Sequence, residues 1–269
     1  MAFASYVFDG IDDVIQHVWS STGTDAERRT LTISTWVKLN LGAGEEHIIQ
    51  AINASKTEYT SFAIFSLGVD MFEADEVFAF WEDPPNNNVW THYVIAIDTT
   101  QANQFNRYRV YKNGVLLPVA GGVAHVQNEL TQFFNSGSQI VIGALAHLSN
   151  FYAGRFAFFD VVSGQSLGPE SFAFDDNGTW TRKTYEGSYG NFGFSLDGSQ
   201  GFNDVSGNGF HFTNVGGVQL DFDDLPPHVA AEEGFSGIYL GETQINTIKL
   251  GSTDIKAVYL GSTKIFEKA

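Results

Sequence analysis

Three aspartates stand in one short turn near the start of the chain. Asp9, Asp12 and Asp13 belong to the stretch AspGlyIleAspAsp. Hard cations such as Ca²⁺ prefer several carboxylate and carbonyl oxygens within reach of one another. The spacing therefore predicts a Ca²⁺ site in this turn. The competing interpretation is that Asp9 and Asp12 only accept hydrogen bonds from the backbone of the turn.

A second candidate site is a tryptophan beside an asparagine run. Trp81 is followed by AspProProAsnAsnAsn at 83–88. Binding sites for small polar ligands combine aromatic surfaces with a few well-placed amide groups. This cluster therefore predicts a carbohydrate site at Trp81, Asn86 and Asn87. The alternative for each tryptophan is a place in the packed core. The other tryptophans considered for this role are Trp19 and Trp180.

The remaining reactive residue types form no catalytic set. The chain has no cysteine, which excludes disulfides, thiolate metal sites and cysteine nucleophiles. No serine stands in a nucleophile-elbow motif. The histidines are scattered without ligand spacing, and His92, in a Trp-x-His strand, is predicted to be a core or rim residue. We therefore predict a protein that is not an enzyme.

Composition indicates a β-rich domain with an acidic surface. The 269 residues include 24 Phe and 28 Gly, which favour strands and turns. The net charge of −17 disfavours nucleic acid and anionic membranes as partners, because binding phosphates requires clustered Lys and Arg. The first residues lack a basic segment and a long apolar run, so we expect no signal peptide and synthesis in the cytoplasm.

Apolar residues alternate with a period of two along most of the chain, which predicts about a dozen short strands. Residues 3–18 predict two strands around a turn at 9–13, and 19–29 predict a polar loop. Residues 107–117 predict a hairpin, since Asn113–Gly114 is a preferred type I′ turn. Strands with turns at this spacing are typical of a β-sandwich.

The end of the chain repeats every ten residues. IleTyrLeuGly at 238–241 returns as IleLysLeuGly at 248–251 and ValTyrLeuGly at 258–261. Each copy predicts a short strand, a Gly-x-Thr turn and a second strand, and such units must pack against something to be stable. The apolar positions predicted to anchor or oligomerise the chain are Ile238, Leu240, Ile245, Ile248, Leu250, Ile255, Val258, Leu260 and Ile265.

The order of landmarks in residues 3–162 resembles the laminin-G-like, concanavalin A-like jelly rolls. The landmarks are PheAspGly-x-AspAsp at 8–13, ThrIleSer-x-TrpVal at 32–37, Trp-x-His at 90–92, Tyr-x-AsnGly at 111–114, IleGly at 142–143 and Tyr-x-Gly at 152–154. The resemblance implies an all-β, concanavalin A-like jelly-roll sandwich followed by a small C-terminal β-repeat module. It also implies a rim Ca²⁺ site to which Asp160 or Asp204 could contribute.

Residues 158–213 are similar to segments that follow lectin-like domains in bacteriophage tail and tail-fibre proteins. The similarity includes AspAsnGlyThrTrp at 176–180 and SerGlyAsnGly at 206–209; Phe210 departs from the family, which has Asn there. The decameric repeats resemble the ends of phage virion proteins. The resemblance implies that they attach or trimerise a displayed module.

Concanavalin A-like folds also include glucanases whose active strand carries alternating carboxylates. The nearest match is GluAlaAspGlu at 73–76, where Val77 stands in place of the third acidic residue. Glycoside hydrolysis needs two carboxyl groups facing one bond. The departure favours an ordinary solvated acidic stretch over a hydrolase.

These observations predict a sandwich at 1–228 (core 3–162, closing segment 163–228), a linker at 229–236 and three β-repeats at 237–269. The predicted function is a structural phage virion protein, a tail fibre or appendage that binds host-surface glycan. The alternatives are a capsid decoration protein or head fibre, and a glycan hydrolase. The expected partners are other virion proteins and two sister copies in a homotrimer, and the expected location is the virion.

Overall fold

The computed structural model describes residues 2–40, 46–65, 68–73, 76–82, 86–121, 126–145 and 150–228, and, in the C-terminal part, 238–240, 243–245, 248–250, 253–255, 257–260 and 263–267. The chain divides into two compact units, Met1–His228 and Val229–Ala269. No helix within these residues is long and apolar enough to cross a membrane.

The first unit is built almost entirely from strands. Its strands in chain order are β1 Ser5–Asp9, β2 Val14–Val18, β3 Thr30–Leu39, β4 Glu46–Ile52, β5 Tyr59–Phe65, β6 Gly68–Glu73, β7 Glu76–Glu82, β8 Thr91–Asp98, β9 Tyr108–Lys112, β10 Val115–Leu116, β11 Val119–Gly121, β12 Gln139–Ile142, β13 Ala153–Ser163, β14 Ala173–Asp176, β15 Thr179–Arg182, β16 Phe194–Leu196, β17 Thr213–Val215 and β18 Gln219–Asp221. Within the described residues of this unit, one short helix, α1, spans Asp25–Arg29, and 3₁₀ turns span Gln104–Asn106 and Pro169–Ser171.

Most of these strands form two antiparallel sheets of eight strands each among the described residues. Sheet A has the order β10-β9-β8-β3-β13-β1-β18, with β16 paired to β13. Sheet B has the order β11-β7-β6-β5-β4-β12-β2-β17. In sheet A, Ile33 lies between Ile95 and Val161, and in sheet B, Ile49 lies between Phe62 and Ile142. All six side chains belong to the core enclosed by the two sheets. The predicted all-β sandwich is confirmed.

The closing segment covers the outer face of sheet A. Trp36 and Phe158 on that face pack with Ala173, and Val94 and Val162 pack with Phe172. As a result, β3 is buried on both faces, although its sequence alternates. Burying a large apolar side chain contributes about 1.5–3 kcal/mol. The segment at 163–228 is therefore an integral part of the sandwich, and it also supplies β16, β17 and β18 to the sheets.

One local prediction is corrected by the structure. The stretch 19–29 is not all loop, because its last five residues form α1. The helix begins with a capping box, in which the side chains of Thr24 and Glu27 each accept a hydrogen bond from the backbone N–H of the other. The two strands predicted around the turn at 9–13 are present as β1 and β2, and they do not pair with each other. β1 joins sheet A and β2 joins sheet B, so the turn crosses from one sheet to the other.

The predicted hairpin at 107–117 is confirmed. Asn113 and Gly114 both have positive φ, 45° and 83°, as a type I′ turn requires. A second Asn-Gly turn, Asn177–Gly178, joins β14 to β15 with φ values of 52° and 90°.

In the second unit, the described residues form three two-stranded antiparallel hairpins, one for each sequence repeat. Their strands are β19 Ile238–Leu240, β20 Thr243–Ile245, β21 Ile248–Leu250, β22 Thr253–Ile255, β23 Ala257–Leu260 and β24 Thr263–Glu267. The first two share one register, with Ile238 opposite Ile245 and Ile248 opposite Ile255. The third contains a β-bulge, so Val258 lies opposite Phe266 and not opposite Ile265.

Candidate functional site

The turn between β1 and β2 brings the three predicted aspartates together. Ligand oxygens of Asp9, Asp12 and Asp13 lie within 4.8 Å of one another. Asp9 Oδ1 accepts hydrogen bonds from the backbone N–H of Ile11 (2.8 Å) and of Asp12 (3.4 Å). Asp13 Oδ2 accepts one from the N–H of Asp9 (3.0 Å). The carboxylates therefore order their own turn, and their grouping also suits a hard cation.

Asp13 is the member of this group whose ionised form is most clearly disfavoured. Its side chain is buried, whereas Asp9 and Asp12 are exposed. Burial raises the pKa of Asp13, and the negative charges of Asp9 and Asp12 raise it further, against the opposing hydrogen bond from the Asp9 backbone. A bound cation would remove this repulsion, since an opposite charge favours the ionised form.

Asp160 and Asp204 do not join this group within the described part of the chain, contrary to what the resemblance implied. Asp160 is buried, and it accepts hydrogen bonds from Tyr189 Oη (2.8 Å) and Ser195 Oγ (2.7 Å). Asp204 accepts hydrogen bonds from the backbone N–H of Ser195 (2.9 Å) and of Ser206 (2.8 Å). Both carboxylates organise the closing segment.

The predicted carbohydrate site at Trp81 is not formed. Trp81 is 0% exposed and belongs to the core between the sheets, so its ring is not available for stacking on a ligand. Asn86 and Asn87 are exposed, and Asn87 forms an isolated bridge with Leu39. Trp19 is also buried, where its ring packs against aromatic neighbours.

Trp180 is only partly buried, but its indole is fixed by internal contacts. Its Nε1–H donates to His92 Nδ1 (2.9 Å), and its six-membered ring covers Gly114 so closely that a Cβ there would lie 2.7 Å from Cη2. His92 is buried, as predicted for a core position, and stacks on Trp36 with ring centroids 4.9 Å apart. Trp180 therefore fastens the β14–β15 hairpin onto sheet A.

The acidic stretch 73–76 does not lie along one strand. β6 ends at Glu73 and β7 begins at Glu76, and these two residues lie opposite each other across the connection. Asp75 lies outside the described residues. Glu73 and Glu76 therefore lie on two different strands, whereas a glucanase-type arrangement would use alternating carboxylates on a single strand.

Sequence reasoning missed two surface features. One is a charged cluster in which Asp224 accepts hydrogen bonds from Lys38 Nζ (2.8 Å) and Trp90 Nε1 (2.9 Å). The other is the set of exposed aromatic side chains. Within the described residues these are Phe105 (58% exposed), Phe222 (55%) and Phe174 (36%). A single Phe among polar neighbours is a weak sequence signal, and none of the three is singled out from the sequence.

Comparison with known proteins identifies the fold. No protein-family model and no curated protein sequence matches the chain. Among solved structures, it is similar to a candidate carbohydrate binding protein from Bacteroides ovatus, with a TM-score of 0.53 and 12% identity over 84% of this chain and 62% of that one. It is also similar to the heptameric SAP-like pentraxin of Limulus polyphemus, with a TM-score of 0.50 and 13% identity over 82% of this chain and 95% of that one. These similarities show a lectin-like jelly roll.

Proposed function

We propose that the chain is a structural protein of a bacteriophage particle that displays a glycan-binding jelly roll, as a tail fibre or similar appendage. The observation that carries this proposal is the combination of a lectin-like sandwich with a separate unit of three sequence-related hairpins. A similar fold in a candidate carbohydrate binding protein supports the glycan part. The tail-protein resemblance of residues 158–213 and of the repeats supports the phage part.

The second unit is proposed to anchor the chain. An isolated two-stranded hairpin is at best marginally stable in water, so three successive hairpins require a packing partner. The partner is proposed to be two sister copies in a homotrimer, or another virion protein. Deleting residues 229–269 should leave a folded sandwich that no longer enters particles. Normal incorporation of the truncated protein would contradict the anchoring role.

The alternative role is a capsid decoration protein or head fibre, which the same hairpins would seat on the shell. Copy number separates the two roles. A tail fibre is present in few copies per particle, whereas a decoration protein approaches the amount of the major capsid protein. Quantitative gel densitometry of purified particles measures this ratio. The sandwich is proposed to bind its glycan without cleaving it. Release of reducing sugar from host polysaccharide would contradict this proposal and would indicate a hydrolase.

The aspartate turn is proposed to bind Ca²⁺. Calcium should raise the Tm of the full chain, and Asp13→Asn should abolish that increase, because the buried carboxylate is lost as a ligand. Asp25→Asn, which removes an exposed carboxylate outside the turn, serves as the control and should keep the calcium response. Equal responses of the two variants would contradict the site.

A further inference from the structure

The loop between β8 and β9, residues 99–106, is held in one conformation by its own ends. The backbone N–H of Asp98 donates to the carbonyl of Arg107 (2.7 Å) and closes the loop. The Arg107 guanidinium, itself buried, donates from Nε to the carbonyl of Gln101 (2.8 Å) and from Nη2 to that of Ala102 (3.1 Å). These hydrogen bonds from the buried Arg107 and from the loop ends therefore preorganise the loop.

A second loop is fastened beside it. Gln127 Nε2 donates to the carbonyl of Thr100 (2.9 Å), and the backbone N–H of Asn128 donates to the carbonyl of Thr99 (2.8 Å). Arg29 at the end of α1 donates from Nε to the carbonyl of Asn128 (2.9 Å). Residues 99–106 and 126–128 thus form one surface, here called the amide rim.

The amide rim exposes the phenyl ring of Phe105 among uncharged polar side chains. Phe105 is 58% exposed, on the 3₁₀ turn whose start is capped by Asn103, and Val126 is 67% exposed. The side chains of Gln104, Asn106, Gln127 and Asn128 are also exposed. The rim sequence, ThrThrGlnAlaAsnGlnPheAsn with ValGlnAsn, contains no charged residue in a chain with 31 acidic ones.

This chemistry matches a neutral sugar. A pyranose has an apolar C–H face that packs on an aromatic ring, and hydroxyl groups that pair with amides, each of which both donates and accepts. An anionic glycan would meet no positive charge among the rim's own side chains, and the neighbouring Arg29 is already paired with Asp25 (2.9 Å). The net charge of −17 would also repel it. Because the loops are already fixed, binding would cost little ordering entropy.

We infer that the amide rim is a binding site for neutral glycans, with Phe105 as the stacking platform and the surrounding amides as hydroxyl partners. This inference rests on the proposed glycan-binding function and gives it a location. The aromatic position should decide affinity, because stacking requires a flat ring at this point of the loop.

The test uses the full-length chain on an array of neutral oligosaccharides from dextran, mannan and galactan, with alginate and heparin oligosaccharides as anionic probes. The strongest neutral probe is then titrated calorimetrically. Phe105→Ala should weaken its binding about 10-fold or more, and Phe105→Tyr should bind within about 3-fold of the parent. Phe222→Ala, which removes an equally exposed ring elsewhere, should bind like the parent.

The possible results distinguish a failure of the rim as the binding site from a failure of the glycan-binding function. Neutral-sugar binding that is lost in Phe105→Ala and kept in Phe105→Tyr and Phe222→Ala supports the rim. Neutral-sugar binding that is unchanged in Phe105→Ala overturns the rim and leaves the glycan-binding function standing. Binding to anionic probes alone overturns the neutral-sugar assignment, and no binding to any probe overturns both.

Discussion

His92 makes the stability of the sandwich depend on pH in a predictable direction. Its Nδ1 accepts the indole hydrogen of Trp180 (2.9 Å), so the neutral ring carries its proton on Nε2, which lies 2.9 Å from Ser34 Oγ. Protonation at Nδ1 would displace the Trp180 hydrogen bond and place a charge beside the stacked ring of Trp36. Burial accordingly lowers the pKa of His92 from 6.5 to about 3.

The sign and size of the effect follow from linkage. Below its ordinary pKa of 6.5, His92 is protonated in the unfolded chain and neutral in the folded one. The unfolded state therefore binds more protons, and the free energy of unfolding decreases as the pH is lowered. The loss begins near pH 6.5 and continues towards pH 3. Between pH 7 and pH 5 it amounts to about 2 kcal/mol from this residue.

Urea unfolding at pH 7, 6 and 5 measures the effect through tryptophan fluorescence, which reports on the first unit because all five Trp lie there. His92→Gln, which cannot titrate in this range, is the matched control for every other ionisable group. The parent should lose about 2 kcal/mol more than His92→Gln between pH 7 and pH 5. Equal losses in the two proteins would refute the assignment of a buried, neutral His92.

Three substitutions test other contacts by the same urea assay. Gly114→Ala should cost about 2 kcal/mol or more, because φ is +83° and the new Cβ would meet the Trp180 ring at 2.7 Å; a cost below about 0.5 kcal/mol would contradict that packing. Asp224→Ala should cost about 1–2 kcal/mol, because a half-buried carboxylate with lysine and indole donors is lost, whereas exposed Asp223→Ala should be near zero. Glu27→Ala should cost about 1 kcal/mol by breaking the capping box of α1.

Much of the fold was predictable because the deciding signals are local. The alternation along β3 and β8 predicts strands, and Asn113–Gly114 predicts the turn by its backbone preference alone. Which sheet a strand joins is not local. The turn at 9–13 looks the same whether its strands pair or separate, so the crossing between sheets was not visible in the sequence.

The candidate sites were less predictable, because exposure depends on the whole fold. Trp81 stands just before a polar loop and Phe105 stands within one, yet the first is buried between the sheets and the second is exposed. Trp36 lies on the outer face of sheet A, and it is buried there by the closing segment, which is distant in the sequence. In contrast, the grouping of Asp9, Asp12 and Asp13 depends on one short turn, and the sequence was sufficient to predict it.

The central claim is that this chain is displayed on a phage particle through its C-terminal unit. Immunogold electron microscopy with antibodies raised against residues 1–228 tests this proposal directly on phage particles purified from a culture in which the chain is expressed. Gold at the tail, at few positions per particle, is the predicted result. Gold distributed over the capsid would establish the decoration role, and purified particles without gold would contradict the claim.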